Sequence, residues 1–232
     1  MNNHEINNTL RNLNIRQNHK IYQKILIRKW NKFYNESRFP WGFDLDPDLK
    51  NIIPNFPVGS RVLDFGCGTA KNALYLAETG HKVTAIDFSS VAMRQANMLI
   101  EKRSVSGIKF ICTENIDSQG EFDIVICLGV LHGHLKEDIM LIVKNLQKAL
   151  KTGGYLLVKV WNREDPECGK GESCEEGTFW HYLGFWVHYF DRDEFISLFP
   201  AIEKISVYQS SETETHGGKH WHSSWVLWGR KR

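Results

Sequence analysis

The chain has 232 residues, of which 42% are hydrophobic and 24% charged, and its formal net charge is +2. This composition fits one globular domain, and no second domain is required. No apolar run approaches the roughly 20 residues that span a bilayer, and residues 1–5 lack the order of a secretory signal. We therefore expect a cytoplasmic protein that makes no membrane contact.

The five cysteines are an odd number, and three of them fall in predicted core strands or in a glycine-rich loop. This distribution indicates reduced thiols rather than a disulfide framework. Cys168 and Cys174 lack further ligands at zinc-site spacing, so we predict no metal site.

Charge is distributed unevenly along the chain. Residues 1–40 hold eight Lys and Arg against two acids, whereas residues 164–176 hold six acids against one Lys. Both segments are interpreted first as solvated surface. The alternative is that the acidic segment selects a cationic acceptor and the basic segment contacts a nucleic acid.

Residues 1–58 are predicted to form an N-terminal helical cap. Apolar side chains from Ile21 to Phe33 recur at helical spacing, with Lys24, Arg28 and Lys32 on the opposite face. We expect the apolar face, Ile21 included, to pack on the remaining domain.

From residue 59 onward, strand and helix patterns alternate, which predicts an α/β domain over residues 59–232. The predicted strands lie near 60–65, 82–87, 107–112, 122–128, 155–161, 203–210 and 221–229. The predicted helices lie near 70–79, 89–102, 136–150 and 191–199.

The most informative stretch is the glycine loop after the first of these strands. Gly66 and Gly68 allow a sharp turn and a close ligand approach, and Asp87 ends the next strand 21 residues after Gly66. An acidic residue at this offset binds a ribose diol in doubly wound folds. Lys71 occupies the position where a dinucleotide-binding loop needs Gly or Ala, and Asp64 would repel a pyrophosphate but favours a cation.

The segment from Asp64 to Thr69 resembles the glycine loop of class I S-adenosylmethionine-dependent methyltransferases, and the resemblance covers residues 59–160. It implies S-adenosyl-L-methionine as the cofactor and S-adenosyl-L-homocysteine as the product. Gly66, Cys67 and Gly68 would wrap the methionine part, and Asp87 would hold the ribose.

The resemblance also implies the adenine site. Phe88 would lie beside the adenine and Glu114 would meet its amino group, with Asn115 or Asp117 as alternatives. Two residues at the end of the fourth strand are implied as backbone neighbours of the cofactor: Leu128 and Gly129.

The family fold is a Rossmann-like, seven-stranded, mostly parallel sheet with an antiparallel last strand and helices on both faces. The hairpin before that last strand would then lie at the ligand-binding edge and carry His216, His220 and His222. Because side chains alternate along a strand, His220 and His222 share a face. The candidate bases are His132, His134, His220 and His222. Structural roles remain open for all four, and no carboxylate is placed by spacing to orient them.

Aromatic residues outside the core motif predict what covers the pocket. Tyr34 and Trp41 match cofactor-covering positions in small-molecule methyltransferases linked to tellurite resistance and thiopurines. The alternative is that Trp30, Phe33 and Trp41 only pack the N-terminal helix against the sheet. Residues 162–190 are predicted to form a substrate-side insertion.

The sequence therefore predicts an S-adenosylmethionine-dependent methyltransferase with a small-molecule acceptor. An amine is favoured as the acceptor because aromatic side chains and nearby acidic residues would both attract a cationic group. Hydroxyl, carboxylate and thiol groups are alternative acceptors. The alternatives are a nucleic acid or protein terminus as acceptor, although the chain lacks the base-methylation motifs, and a non-catalytic cofactor-binding protein. The sequence does not predict an oligomeric state.

Overall fold

A computed structural model describes residues 19–37, 39–116, 121–181, 184–214 and 220–232. The α-helices of these residues are α1 (His19–Glu36), α2 (Pro47–Ile52), α3 (Lys71–Glu78), α4 (Ser90–Arg103), α5 (Lys136–Ala149) and α6 (Arg192–Ser197). The strands are β1 (Arg61–Phe65), β2 (Lys82–Asp87), β3 (Ile108–Cys112), β4 (Phe122–Leu128), β5 (Leu150–Trp161), β6 (Ser173–Glu175), β7 (Thr178–Trp180), β8 (Trp186–His188), β9 (Ile202–Glu214) and β10 (His220–Lys231).

Seven strands form one sheet in the order β3-β2-β1-β4-β5-β10-β9. Strands β1 to β5 pair in parallel, and β10 is antiparallel to both β5 and β9. Two hydrophobic clusters cover the opposite faces, one with α5 and α6 and the other with α2, α3 and α4. The predicted α/β fold, with its antiparallel last strand and helices on both faces, is confirmed.

Helix α4 shows how local sequence sets the element boundaries. Ser89 has an extended backbone and its side chain accepts a hydrogen bond from Ala92 N, which satisfies one of the amides left unpaired at a helix start. At the other end Ser104 adopts a left-handed conformation, with φ at 53°, and stops the helix.

Helix α1 packs on the segment that was predicted as an insertion. Tyr22 and Leu26 belong to a third hydrophobic cluster with Trp161, Phe185 and other residues of 185–189. The expectation for Ile21 was wrong, since its side chain is 48% exposed. This residue lies next to Tyr22, at the edge of the apolar stripe, where the helix turns its side chain away from the cluster.

The insertion contains a small antiparallel sheet in the order β6-β7-β8, which the sequence patterns did not predict. Each of these strands has only three residues, too few to show an alternating pattern. All five cysteines are free thiols. Among the described residues, no helix is both long and apolar enough to cross a bilayer.

Candidate functional site

The glycine loop between β1 and α3 is fixed to the end of β2. The amides of Gly66 and Cys67 both donate to Ile86 O, at 2.8 and 3.0 Å. Gly66 and Gly68 have φ values of +72° and +54°, in the left-handed region that favours glycine. A Cβ on Gly66 would lie 2.2 Å from Val130 Cγ2, and one on Gly68 would lie 2.8 Å from Tyr34 Oη. Both glycines are therefore required by backbone conformation and by close packing.

Two cavities meet at Gly66, which lines both. We call the first the aromatic cavity; its other walls include Trp30, Tyr34, Trp41, Asp46, Cys67, Gly68, Leu128, Gly129, His132, Lys159, Trp161, Glu212 and Ser224. We call the second the strand-end cavity; its other walls include Leu26, Ile27, Ile86, Asp87, Phe88, Glu114, Asn115, Val130, His134, Asp138 and Ile142. The predicted methionine-side and adenosine-side residues thus divide between two adjoining cavities.

Asp87 lines the strand-end cavity, and its carboxylate binds the glycine loop that lines the aromatic cavity. Oδ2 accepts a hydrogen bond from Gly68 N at 2.9 Å, and Oδ1 accepts one from Ser89 N at 2.7 Å. Burial raises the pKa of Asp87 to about 6, against the lowering effect of these amide donors. The carboxylate is thus oriented by the backbone at the end of β2, as a ribose-binding residue requires.

Asp64 is almost fully buried and lines neither cavity. Burial, followed by the charge of Asp87, raises the pKa of Asp64 to about 7. Among the described residues its Oδ2 has no hydrogen-bond partner. A cation bound nearby would lower both pKa values, so this pair of carboxylates favours a positively charged ligand.

The predicted adenine contacts lie together in the strand-end cavity. Phe88, Glu114 and Asn115 line it beside Asp87, and Glu114 and Asn115 are exposed at its edge. Asp117, the alternative to Glu114, lies outside the described residues.

The aromatic residues of the N-terminal region both line the aromatic cavity and pack on each other. Trp41 Nε1 donates to Tyr34 Oη at 3.3 Å, and the ring of Trp30 lies 5.9 Å from that of Tyr34. Phe33 contacts Trp41 with ring centroids 5.8 Å apart but does not line the cavity. Both interpretations of this group are therefore compatible with its geometry.

The four candidate histidines do not form one group. His132 lines the aromatic cavity, whereas His134 lines the strand-end cavity. His132 Nδ1 accepts the amide of Trp161 at 3.4 Å, so its proton is assigned to Nε2. Burial and nearby histidines hold the pKa of His132 well below its usual value. His132 therefore faces the cavity as a neutral hydrogen-bond donor, which suits it poorly to act as a base.

His134 donates from Nδ1 to Val130 O at 3.1 Å, and burial lowers its pKa. This histidine supports the loop on the adenosine side and lies apart from the aromatic cavity.

His220 and His222 share one face of β10, as predicted, with ring centroids 4.9 Å apart. His222 is buried and pairs through Nδ1 with Asp165 Oδ2 at 2.8 Å. Its ring stacks on Trp161 at 3.8 Å, and His132 stacks on the opposite face at 4.2 Å. His216 lies outside the described residues.

Sequence reasoning missed the pairing of Asp165 with His222. The two residues are 57 positions apart, and the acidic residues around Asp165 suggested solvated surface. Within the described residues, no group of three or more His, Cys, Asp or Glu side chains could hold a metal ion.

Sequence reasoning also missed a charged group on the far wall of the aromatic cavity. Lys159 is 3% exposed, and its Nζ lies 2.9 Å from Glu212, 3.0 Å from Asp48 and 3.3 Å from Asp46. A polar residue inside an otherwise apolar strand was the available signal, since Lys159 interrupts the run from residue 155 to 161. Burial lowers the pKa of Lys159, but the charges of these carboxylates outweigh burial and raise the pKa above its usual range.

These features fit S-adenosylmethionine, which carries a sulfonium and a ribose diol. The loop residues Gly66, Cys67 and Gly68 line the aromatic cavity, Asp87 presents an oriented carboxylate, and the Asp64–Asp87 pair favours positive charge.

Comparison with known families agrees with this geometry. The chain belongs to the methyltransferase domain family, whose model matches residues 41–203, and within it to the class I S-adenosylmethionine-dependent group that the glycine loop indicated.

Individual relatives differ in substrate. A tRNA N(3)-cytidine methyltransferase from Bos taurus is 24% identical over 184 residues, which cover 73% of this chain and 49% of that protein. A probable S-adenosyl-L-methionine-dependent methyltransferase, TehB, from Haemophilus influenzae is 31% identical over 112 residues, covering 47% and 38%. The chain thus spans about half or less of the length of these relatives.

Among solved structures, a Burkholderia thailandensis 1,6-didemethyltoxoflavin-N1-methyltransferase with bound 1,6-didemethyltoxoflavin and S-adenosylhomocysteine has a TM-score of 0.69. It is 18% identical, and the match covers 91% of this chain and 89% of that one. At this identity the likeness concerns the fold alone.

Proposed function

We propose that this protein transfers a methyl group from S-adenosylmethionine to a nitrogen atom of a small molecule in the aromatic cavity. The observation that carries the proposal is the meeting of the two cavities at Gly66. A cofactor that follows the loop would place its adenosine in the strand-end cavity and its methionine end in the aromatic cavity.

The cofactor supplies an activated methyl group on its sulfonium sulfur. In this proposal Asp87 binds the ribose, Phe88 and Glu114 contact the adenine, and Gly66 to Gly68 contact the methionine part. Tyr34 and Trp41 exclude water above the loop. The main contribution of the protein is then to align the acceptor with the methyl carbon, a proximity effect that can supply several kcal/mol.

The walls of the aromatic cavity favour an amine acceptor. Trp30, Trp41 and Trp161 provide aromatic faces, and Asp46 and Glu212 provide carboxylates. A cation over an aromatic face gains about 0.5–2 kcal/mol.

The first test is calorimetry of the protein with S-adenosylmethionine, S-adenosylhomocysteine and NAD. We expect micromolar binding of the two adenosyl ligands and none of NAD.

Asp87→Asn should weaken the binding of the adenosyl ligands by about 1–3 kcal/mol through lost charged hydrogen bonds. Asp123→Asn is the matched control, because Asp123 pairs with Lys151 near the start of β5, away from both cavities. Binding of NAD alone, or of none of the three, would contradict the proposal.

A tRNA nucleotide is the second candidate acceptor, favoured by the Bos taurus relative that matches 73% of the chain. Transfer of a radiolabelled methyl group, offered in parallel to total tRNA and to a mixture of small amines, separates the two. Label in the amines supports the proposal, and label in tRNA supports the alternative. Label in neither, with cofactor bound, would indicate a different acceptor or a non-catalytic binding protein.

A further inference from the structure

Three neighbouring strands place polar side chains on one face of the sheet beside the aromatic cavity. β10 pairs with β5 and β9 in a register that sets Ser224 opposite both Trp161 and Ser210, and His222 opposite Glu212. Because side chains alternate along strands, Lys159, Ser224 and Glu212 lie on the same face. All three line the aromatic cavity.

The charged part of this face has more negative than positive groups. Lys159 contacts the carboxylates of Asp46, Asp48 and Glu212 within 3.3 Å. One ammonium therefore faces three carboxylates, of which Asp46 and Glu212 reach the cavity wall. Lys71 adds a second ammonium to that wall, so three carboxylates against two ammonium groups leave one negative charge in excess. An anionic ligand would meet this excess negative charge, whereas a cationic one would reduce it.

Ser224 gives a second, independent indication that a ligand binds here. Ser224 is 1% exposed, and among the described residues its Oγ has no hydrogen-bond partner. Leaving a buried hydroxyl unpaired is unfavourable, and Ser224 lines the same cavity as Glu212. A bound N–H group would pair with Ser224 Oγ.

We propose that Glu212 and Ser224 form the subsite that binds the acceptor amine as its ammonium, with Lys159 holding the Glu212 carboxylate in place. The ammonium passes one proton to Glu212, which frees the nitrogen lone pair to bond to the methyl carbon as the carbon–sulfur bond of the sulfonium breaks. This inference rests on the proposed function, because it assigns residues to the acceptor end of that site. It selects amines over carboxylates, and it makes Glu212 an acceptor-specificity residue that has no part in binding the adenosine.

The test measures binding of model ligands to the protein saturated with S-adenosylhomocysteine. Calorimetry with benzylamine, n-butylamine and benzoate compares an alkylamine that carries a phenyl ring, an alkylamine without a ring, and an anion similar in size to benzylamine. We expect at least one amine to bind and benzoate not to bind. Glu212→Gln, which keeps the shape but removes the charge, should lower amine affinity at least tenfold and change S-adenosylhomocysteine affinity less than twofold.

Two further variants separate binding from structure. Ser224→Ala should lower amine affinity but leave the free protein at least as stable as wild type, because it removes a buried unpaired hydroxyl. Glu203→Gln is the matched control, since Glu203 lies on β9 but is exposed at its opposite end, and it should alter neither affinity.

Equal amine affinity in wild type and Glu212→Gln, no affinity for either amine, or preference for benzoate would overturn the inference while S-adenosylhomocysteine still bound. Failure to bind S-adenosylhomocysteine would instead overturn the proposed function, and the inference with it.

Discussion

The strand-end cavity and the aromatic cavity meet at Gly66, but different parts of the chain build them. The strand-end cavity is formed by the ends of β1 to β4, where several lining residues directly follow their strands, and by α1 and α5, which also contribute side chains to it. The aromatic cavity combines α1, the segment before α2, and three strands at the other end of the sheet. Lys159 and Asp46, which contact each other, are 113 residues apart.

The proposed cofactor-binding residues are therefore positioned mainly by local motifs. The proposed acceptor-binding residues of the aromatic cavity are positioned by tertiary packing. The glycine loop and Asp87 need only the β1–loop–α3–β2 unit to be placed. In contrast, Trp161 is positioned by His132 and His222, which come from different elements. Changes on the cofactor side should alter cofactor affinity most strongly, and changes behind the acceptor side should mainly alter stability.

The largest expected effect is that of Gly66→Ala. The added Cβ would overlap Val130 Cγ2 at 2.2 Å, at a φ of +72°. We expect affinity for S-adenosylhomocysteine to fall about 100-fold or more, roughly 3 kcal/mol, with a loss of stability as well, measured by calorimetry and thermal unfolding.

Gly59→Ala is the control for Gly66→Ala, because Gly59 has a φ of +70° but nothing within 4 Å of an added Cβ. It should lose about 1 kcal/mol of stability from backbone strain and keep its cofactor affinity. Equal affinities in the two variants would show that the close approach at Gly66 does not shape the cofactor site.

The next effect concerns Asp165, behind the aromatic cavity. Its Oδ2 accepts from His222 Nδ1 at 2.8 Å and from Ser223 N at 3.0 Å. Asp165→Asn should lower the free energy of unfolding by about 2–3 kcal/mol, because it leaves a buried donor unsatisfied, and should change cofactor affinity less than twofold.

Urea unfolding of Asp165→Asn beside Glu167→Gln provides the comparison. Glu167 pairs with Lys170 at 2.9 Å, but that lysine side chain is 62% exposed, and such pairs contribute about 0–1 kcal/mol. If both variants lost the same stability, the buried pair would have no special role.

Asp64 should make the stability of the free protein depend on pH. Its pKa of about 7 lies above the ordinary value of 3.8, so the unfolded chain ionises first as pH rises. The stabilising contribution is therefore complete below about pH 4 and is lost as pH rises towards 7.

Relative to Asp64→Asn, which cannot ionise, wild type should lose about 2.5 kcal/mol between pH 5 and pH 7.5. Urea unfolding at both pH values measures this difference. A constant difference across that range would contradict the raised pKa. Saturating S-adenosylmethionine should reduce the pH dependence, because a cation stabilises the charged carboxylates.

Short-range patterns predicted the positions of the strands and the glycine loop, and the family resemblance implied the seven-stranded sheet and the cofactor at that loop. Ser89 before α4 and the glycines after β1 each specify their own conformation. The pairing of Asp165 with His222 could not be predicted, since it depends on how the insertion packs against β10. The strands β6 to β8 have three residues each, too few to show an alternating pattern, and the contacts of Lys159 join residues far apart in the sequence.

The smallest expected effect distinguishes the two interpretations of Trp41. Trp41→Phe keeps an aromatic ring but removes the donor to Tyr34 Oη, so affinity for S-adenosylhomocysteine should fall by about 0.5–1 kcal/mol. Trp41→Ala removes the ring as well. If the ring covers the cofactor, the Ala variant should bind much more weakly than the Phe variant. If it only seats α1 through Phe33, stability should fall while affinity stays close to that of the Phe variant. Trp221→Phe is the control, because Trp221 is 50% exposed on β10 and its replacement should change neither quantity.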